Sequence, residues 1–411
     1  MEESWMAKLP AIVGESQYVE KNGRIVVFPN STEHVSSIVK LANENQVKLA
    51  VKKSKESVVK QEPKILLDLS KMDTIVEIDR ENVTAAVMTG INLAAFQSEM
   101  KKRGFYFPPT SIWDNGSLMI EAIAANHTGP SSGKYGKWRE YVLGMEVVLP
   151  TGEILNLGGK NIKCVSGLDM MGLFIGSHSQ LGIVTKVLLR LLPKPEASKL
   201  SIARVNTLLD GVNAANTLGP RGQLPARNEL ITPNMAWEMQ IPGIEKGQTV
   251  LLTEIEGFVE SLSRQLAEVD LIYQKYGVKS QLVISDEKEI EEIWSRYFFT
   301  ASLHMQKQTY NLTIIPSKLP SLYDAIEKIC RQTGFSFEMI MHCGVVNIDL
   351  FLDSIDSSNL IEFEEGLFKA LLLLGGKMAD KKIGIGSHVL EIEKLESGLK
   401  RLFDPSGVMA G

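Results

Sequence analysis

The sequence predicts an α+β protein with two main domains, and three observations support this fold class. The chain has 411 residues, which is too many for one ordinary hydrophobic core. Residues 20–195 alternate short strands, helices and turns that contain glycine or proline. After residue 195 the order changes to repeated β-α-β units, which are typical of an antiparallel sheet with helices on one face. We therefore expect domains at residues 1–195 and 196–380, followed by a C-terminal segment at residues 381–411.

Composition and charge place the chain among ordinary globular proteins. Hydrophobic residues make up 44% of the sequence and charged residues 23%. The formal net charge of −5 gives no reason to expect nucleic acid or an anionic membrane as a partner. The N-terminus is acidic and lacks the apolar core of a signal peptide. The longest apolar run, at residues 370–374, is too short to span a bilayer, so we expect no transmembrane segment.

The cysteine content limits the chemistry and the compartment. Only Cys164, Cys330 and Cys343 occur, and no two of them form a CxxC pair. This spacing excludes an iron–sulfur cluster or a Cys-rich zinc site within the chain. Low cysteine usage fits a reducing compartment, so we expect a cytoplasmic protein or one peripheral to a membrane complex.

The first predicted domain begins with a strand, a helix and further strands. The run "RIVVFP" at residues 24–29 is a strand ended by proline. A helix follows, with Ser31 or Thr32 as its N-cap. Its apolar residues stand at helical spacing: Val35, Ile38, Val39 and Ala42. The runs "VKLAV", "KILLDLSKM" and "NVTAAVMTG" are further strands, and the last precedes a helix at residues 93–103.

The order of pieces at residues 135–195 is the most specific feature of the chain. A strand at residues 142–149 leads through a Thr-Gly turn to a strand at residues 153–157. A glycine pair, the segment "SGLDMMGLFIGS" and a long β-branched strand ending at Pro193 follow. This order, with "GFYFPPTS" at residues 104–111, resembles the FAD-linked oxidase family, which includes D-lactate dehydrogenases and glycolate oxidase flavin subunits. The resemblance implies a two-lobed FAD-binding domain of the PCMH or vanillyl-alcohol-oxidase type.

The second predicted domain resembles the substrate-capping domain of the same family. Strands such as "TVLLTEIEG", "YNLTIIP", "FSFEMIMHCG" and "VVNIDLFLD" alternate with helices at residues 317–333 and 357–374. The resemblance implies a ferredoxin-like antiparallel α+β cap. The C-terminal run "IEKLESGLKRLFDPSGV" resembles the family's closing helix and turn, which return to the FAD-binding domain.

The glycine-rich turns that hold FAD in the family are altered here. Backbone N–H groups at such turns hold a pyrophosphate because glycine permits close approach and positive φ. The loop at residues 52–63 has no glycine, and Ile120 and Glu121 stand where the family has a glycine pair. His178 and Ser179 replace an acidic residue and a glycine at the third turn.

These replacements leave two interpretations of the cofactor open. In one, the loop lysines hold FAD by charge, namely Lys52, Lys53, Lys55 and Lys60. FAD would then be non-covalent, because the loop offers no His or Cys for a flavin bond. In the other, the loop is a solvated charged surface and the fold persists as a scaffold. The positions that match the family's flavin contacts are Pro109, Thr110, Ser111, Asn126, Gly129, Gly133, Tyr135, Gly136, Gly182, Ile183 and Val184.

The run "MHCGVVNIDL" at residues 341–350 resembles the family's metal- and substrate-binding strand pair, in which two histidines flank G-D-G-N. His342 matches the first histidine, and Asp349 stands in place of the second. Lysines in "KKIGIGSH" replace the third metal ligand, so we expect no metal site. The alternative role for His342 is that of an ordinary hydrogen-bonded histidine within a strand.

Arg296 in "EIWSRYFF" resembles the arginine of the family's Trp-x-x-Arg segment, although the spacing is one residue shorter. A planar guanidinium binds a carboxylate through two parallel hydrogen bonds. The alternative is a helix-surface arginine without a ligand.

The resemblance implies FAD-dependent oxidation of a small 2-hydroxy acid such as D-lactate or glycolate. In this mechanism Arg296 holds the carboxylate and His342 is the base. Electrons then pass to an iron–sulfur subunit or to a paralogous flavin subunit. The alternative function is a flavin-free, non-catalytic scaffold subunit of such a complex.

Overall fold

The structure is a computed structural model of one chain. It describes residues 5–21, 23–52, 63–109, 116–126, 128–160, 168–305, 307–345, 347–353, 357–378 and 387–410. The predicted α+β class is confirmed. A two-lobed N-terminal domain joins a domain built on one large antiparallel sheet.

The first lobe is a four-stranded sheet in the order β1-β2-β4-β3. Strand β4 runs parallel to β2 and β3, whereas β1 and β2 are antiparallel. Ser31 is the N-cap of helix α2, because its Oγ accepts from the backbone N–H of His34 at 3.2 Å. Its elements are β1 (Tyr18–Lys21), β2 (Arg24–Val27), β3 (Leu49–Val51), β4 (Ile65–Leu67), α1 (Leu9–Val13) and α2 (Thr32–Glu44).

The second lobe is a five-stranded antiparallel sheet in the order β5-β6-β10-β8-β9. Strands β7 and β11 pair separately. One hydrophobic core is continuous through both lobes. The strands are β5 (Ile75–Asp79), β6 (Thr84–Met88), β7 (Phe105–Tyr106), β8 (Val142–Val148), β9 (Ile154–Gly158), β10 (Ile183–Arg190) and β11 (Leu192–Pro193). The helices are α3 (Leu93–Lys102), α4 (Met119–Ala125), α5 (Ser132–Tyr135) and α6 (Met171–Phe174).

The cap is an eight-stranded sheet in the order β15-β12-β14-β13-β17-β18-β16-β19, with every neighbouring pair antiparallel. The strands are β12 (Ala197–Val205), β13 (Arg227–Ile231), β14 (Thr249–Gly257), β15 (Lys279–Ile284), β16 (Thr309–Thr313), β17 (Phe337–His342), β18 (Asn347–Leu352) and β19 (Lys377–Met378). The helices are α7 (Leu208–Leu218), α8 (Pro233–Glu238), α9 (Val259–Lys275), α10 (Glu287–His304), α11 (Leu319–Thr333) and α12 (Ser357–Leu374).

Helices cover both faces of the cap sheet, not one face as the sequence pattern predicts. Helices α7, α9, α11 and α12 share a core with one face. Helices α8 and α10 pack against the other face through a separate core that includes Ile340 and Phe351. This second face therefore combines apolar packing with the polar side chains described below.

The C-terminal segment contacts both lobes of the first domain. Helix α13 (Ser387–Phe403) ends where Phe403 packs edge-to-face on Phe174, with 5.8 Å between ring centroids. The N–H of Leu49 donates to the carbonyl of Val408 at 2.9 Å, and Ala410 donates back to Leu49 at 2.8 Å. Among the described residues, no helix is both long and apolar enough to cross a bilayer.

Candidate functional site at the domain interface

The two domains meet backbone to backbone at two glycines. A Cβ placed on Gly133 of α5 would lie 2.7 Å from the Cα of Gly344, in the turn between β17 and β18. Beside this contact, the side-chain amide of Asn347 donates to Thr128 Oγ1. Glycine at positions 133 and 344 therefore permits an approach that any side chain would obstruct.

A second contact joins α5 to strand β14 through Glu256. Lys134 Nζ donates to the Glu256 carbonyl at 3.0 Å, and its distance to the carboxylate is 3.7 Å. Tyr135 Oη donates to Glu256 Oε1. Burial raises the pKa of the Glu256 carboxyl, and it lowers the pKa of the Lys134 ammonium. The segment that resembles a flavin-contacting loop is thus tied directly to the cap.

His342 lies in a buried ion cluster on the second face of the cap sheet. Its Nδ1 is 2.6 Å from Glu229 Oε2, and its Nε2 is 2.8 Å from Asp349 Oδ2. Strand pairing sets this arrangement, because Glu229 lies directly opposite His342 in the register of β13 and β17. Tyr297 Oη donates to Glu229 at 2.7 Å, and Asn311 Nδ2 donates to Asp349 at 2.7 Å.

The cluster keeps the imidazole protonated. Burial alone would lower the pKa of His342, but the facing carboxylates of Glu229 and Asp349 raise it to about 10. Both ring nitrogens then donate, and neither is free to bind a metal. Across the described ranges, no group of three or more His, Cys, Asp or Glu side chains could hold a metal ion.

Arg296 is half-buried on α10, and within the ranges that the structure describes its Nε has no hydrogen-bond partner. It is not part of the wall of the large cavity that opens between the two domains, whereas its neighbours Trp294 and Ser295 are. The structure therefore leaves Arg296 with a spare donor but places other side chains on the cavity wall.

The interdomain cavity has a volume of about 1110 Å³. Helix α3 and the segment around Tyr106 line it from the first domain, and β13, β14 and α10 line it from the cap. Arg227 and Glu254 face each other across β13 and β14, with 3.3 Å between Nη1 and Oε2. The Arg227 guanidinium lies 4.7 Å from the ring centre of Trp294.

The family comparison agrees with this architecture. Residues 23–158 match the FAD binding domain family, and residues 194–357 match the C-terminal domain of FAD linked oxidases. The chain belongs to the FAD-linked oxidase family. Glycolate oxidase subunit GlcD of Bacillus subtilis is 28% identical, with 93% of this chain and 87% of that protein covered. D-lactate dehydrogenase of Archaeoglobus fulgidus is 27% identical, with 94% and 90% covered.

Solved structures share the fold at low sequence identity. An alkyldihydroxyacetonephosphate synthase superposes with a TM-score of 0.79 at 17% identity, covering 98% of this chain and 85% of that chain. Substrate-bound p-cresol methylhydroxylase gives a TM-score of 0.76 at 16% identity, covering all of this chain and 97% of that one. The predicted family and its two-domain architecture are therefore confirmed.

The family implies FAD, and Asn126 is the described residue that fits it best. Asn126 adopts a left-handed conformation with φ 48°, and its buried Oδ1 has no hydrogen-bond partner in the described part of the chain. A flavin carries N–H and hydroxyl groups that can donate a hydrogen bond to such an oxygen. His178 and Ser179 in the adjacent turn are also left-handed, with φ of 51° and 61°. Non-glycine residues with a left-handed backbone conformation are strained, and such strain is common at ligand sites.

The start of α4 fits a pyrophosphate less well. The N–H groups of Met119 and Ile120 donate to carbonyls of Ile91 and Thr89 at 2.9 and 2.8 Å. The Glu121 carboxylate accepts from the N–H of Leu118 at 3.2 Å. The side chain of Ile120 lies in the hydrophobic core. It does not extend into the crevice between the two lobes of the first domain, where FAD is expected to lie. FAD would therefore be held mainly by other residues of the crevice.

The remaining predicted cofactor residues fall into three groups. Gly129 N–H donates to Ser132 Oγ at 2.9 Å, and Gly136 N–H donates to the Ser132 carbonyl at 2.9 Å. Ile183 and Val184 are buried core residues of β10, and a Cβ on Gly182 would meet Val147 at 2.7 Å. The Pro109 carbonyl accepts from Gln97 at 3.1 Å.

Several predicted positions lie outside the described residues. These are Thr110, Ser111, the lysine-rich stretch at residues 53–62 and the stretch at residues 379–386. Lys52 is described, and it pairs with Asp68 at 2.6 Å.

The polar residues of the cap face were missed by sequence reasoning, although a signal was present. Arg227 and Glu229 are two residues apart in β13, and so are Glu254 and Glu256 in β14. Because side chains alternate along a strand, each pair projects from the same face. The segment "TVLLTEIEG" thus predicts two carboxylates on one sheet face, but not which face.

Proposed function

We propose that this chain is an FAD-linked oxidoreductase subunit that oxidises a small 2-hydroxy acid such as D-lactate or glycolate. The observation that carries the proposal is the polar face of the cap sheet, which lies against the segment of the first domain that resembles a flavin-contacting loop. Arg227, Glu229 and His342 stand side by side on this face. The names of the relatives, glycolate oxidase subunit and D-lactate dehydrogenase, support the substrate class.

FAD, when bound, would supply the hydride acceptor for the oxidation of the hydroxyl carbon. Asn126 would hold it through the free acceptor Oδ1. The chain itself must bind the carboxylate, orient the hydroxyl group and exclude water. The hydroxyl proton must pass to a base as the 2-oxo acid forms.

Arg296 and His342 remain the predicted substrate residues. The unpartnered Nε of Arg296 supports a role in carboxylate binding. His342 would serve as a base only after losing a proton that Glu229 and Asp349 stabilise. The geometry therefore supports a different role for His342, that of a fixed positive charge on the active-site face.

The partner of this reaction is proposed to be an iron–sulfur subunit or a paralogous flavin subunit. The resemblance to GlcD, which is named as a subunit, supports an assembly of several chains. A flavin-free scaffold is the second candidate, because the described N–H groups at the start of α4 are bonded within the chain.

A spectrum and a turnover assay separate these two functions. The purified chain, supplied with FAD and an artificial electron acceptor, should show flavin absorption and oxidise D-lactate or glycolate. Asn126→Gly should lower flavin retention, because it removes the free acceptor while it still permits the left-handed backbone conformation. No bound flavin and no turnover, with turnover appearing only when a second flavin subunit is added, would support the scaffold.

Turnover also tests the arginine prediction. If Arg296 holds the substrate carboxylate, Arg296→Lys should lower kcat/KM about tenfold or more, because a point charge does not reproduce a bidentate guanidinium. Arg331→Lys is the matched control, because Arg331 is a highly exposed arginine of α11 that pairs only with Glu327 one turn away. Equal activity of the two variants would remove Arg296 from the mechanism.

A further inference from the structure

Three residues that line the interdomain cavity carry buried polar atoms without a hydrogen-bond partner among the described residues. Arg227 Nε, Trp294 Nε1 and Glu254 Oε2 are buried and make no hydrogen bond to any residue that the structure describes. Trp294 is 3% exposed and Glu254 is 6% exposed, and both line the cavity. Glu254 Oε2 lies 3.3 Å from Arg227 Nη1, close enough for an ion pair but without hydrogen-bond geometry. Unsatisfied buried polar groups cost free energy, so three of them at one place indicate a missing partner.

The wall of the same cavity also carries apolar side chains, beside charged ones such as Lys101, Lys194 and Glu287. Its wall includes Leu93 and Phe107 of the first domain and Ile290 and Phe298 of α10. Leu93, Phe107 and Ile290 are almost completely buried. The cavity volume of about 1110 Å³ lies just above the range of about 300–1,000 Å³ that is typical of drug-sized ligand pockets, and it exceeds what lactate or glycolate fills.

These two regions define one kind of ligand. We propose that the cavity binds a 2-hydroxy acid with a large apolar side chain, its carboxylate on Arg227 and its side chain against Leu93, Phe107 and Ile290. The hydroxyl group donates to Glu254, and Trp294 Nε1 adds a donor for the carboxylate. This inference rests on the proposed function for the hydroxy-acid class, and it makes Arg227, not Arg296, the carboxylate clamp.

The neighbours of Arg227 orient its guanidinium for binding a carboxylate. Its guanidinium stacks on Trp294, and the Arg227 side chain keeps 18% of its surface exposed. Trp294 and Tyr297 are three residues apart on α10, so both project toward β13. There Trp294 supports Arg227, and Tyr297 bonds to Glu229. The unsatisfied atoms are covered by their neighbours, so ligand binding includes a small rotation of Arg227 and Glu254.

The test is a binding measurement that does not depend on turnover. Isothermal titration of the full chain should give tighter binding for 3-phenyllactate than for lactate, by about tenfold or more. It should also give weaker binding for 3-phenylpropionate, which lacks the hydroxyl group. Equal affinity for lactate and 3-phenyllactate would overturn the inference. So would the absence of any binding of 3-phenyllactate, since the cavity would then hold only water.

Variants then assign the clamp. Arg227→Met should weaken 3-phenyllactate binding about tenfold or more, whereas the exposed control Arg331→Met should leave it unchanged. Arg227→Lys provides a second variant that retains the charge if the methionine variant does not fold. Loss of binding in Arg296→Met with retention in Arg227→Met would overturn the assignment.

Binding and turnover keep the two proposals separate. Binding of 3-phenyllactate without turnover of any 2-hydroxy acid would contradict the proposed function and leave the cavity site standing. Faster turnover of glycolate than of 3-phenyllactate, with the same rate in the Arg227→Met variant, would support the proposed function and contradict the cavity site.

Discussion

At the scale of single residues, the positive charge on His342 stabilises the two carboxylates that are buried in the cap. The imidazole is 2% exposed, and it separates two carboxylates that would otherwise repel each other. Replacing such a cation leaves buried anions without a counter-charge. The resulting loss of stability is much larger than the net stability that the intact ion pair provides compared with apolar residues in its place. His342 is therefore a stabilising element whatever its part in catalysis.

The stabilisation by His342 should depend on pH in a defined window. The folded pKa of about 10 is above the ordinary value of 6.5, so the charged form stabilises the fold. The contribution is fully present below pH 6.5, and it declines as pH rises through 10. His342→Gln should lower the free energy of unfolding by about 3–5 kcal/mol at pH 6. The difference from wild type should narrow toward pH 10 in denaturant titrations.

A control for this prediction is His304→Gln. His304 is also buried, but its single carboxylate partner, Glu238, is half exposed, and the distance is 2.5 Å. The control should cost less at pH 6. A penalty for His342→Gln that is the same at pH 6 and pH 10 would contradict a protonated imidazole.

At the scale of elements, helix α4 connects the core to the predicted cofactor crevice. Ile120 packs in the core, while Glu121 caps the helix through the N–H of Leu118. The resemblance to the family implies a glycine pair at these two positions. Restoring glycine would therefore remove core packing and a cap, as well as a negative charge.

Ile120→Gly should destabilise the protein by about 3–5 kcal/mol, because it removes a fully buried side chain and adds backbone freedom. Glu121→Gly should cost less, about 1–2 kcal/mol, since it removes one capping hydrogen bond and introduces a glycine. Chemical denaturation of both variants checks the order. A larger loss for Glu121→Gly would mean that the capping contact outweighs core packing at this helix.

The contact of α5 with the β17–β18 turn gives a second prediction at this scale. Gly133→Ala would place a Cβ 2.7 Å from Gly344 Cα, so the domains must separate locally. We expect a loss of about 1–3 kcal/mol, the usual cost of overpacking. Gly219→Ala is the control, because its Cβ meets nothing within 4 Å. Equal melting temperatures for the two variants would contradict the close backbone approach.

At the scale of the whole molecule, local patterns predict elements better than they predict the site. Periodicity predicts the helix at residues 357–374, and the structure places α12 at Ser357–Leu374. The site depends on pairing between distant strands, as with Glu229 and His342, which are 113 residues apart. No local pattern encodes that register. The interdomain cavity likewise arises only when α3 and α10 face each other.

The return of the C-terminal segment to the first domain makes the stability of that domain depend on Met409 and its neighbours. Met409 is buried in the first-domain core and bridges to Leu49, so Met409→Ala should cost about 2–5 kcal/mol. Leu402→Ala is the matched control, because Leu402 is 75% exposed on α13 and should cost less than about 0.5 kcal/mol. Amide hydrogen exchange locates the effect. Met409→Ala should speed exchange in β3 and β4 while leaving β17 and β18 of the cap protected. Faster exchange in the cap alone would mean that the C-terminal segment stabilises the cap and not the first domain.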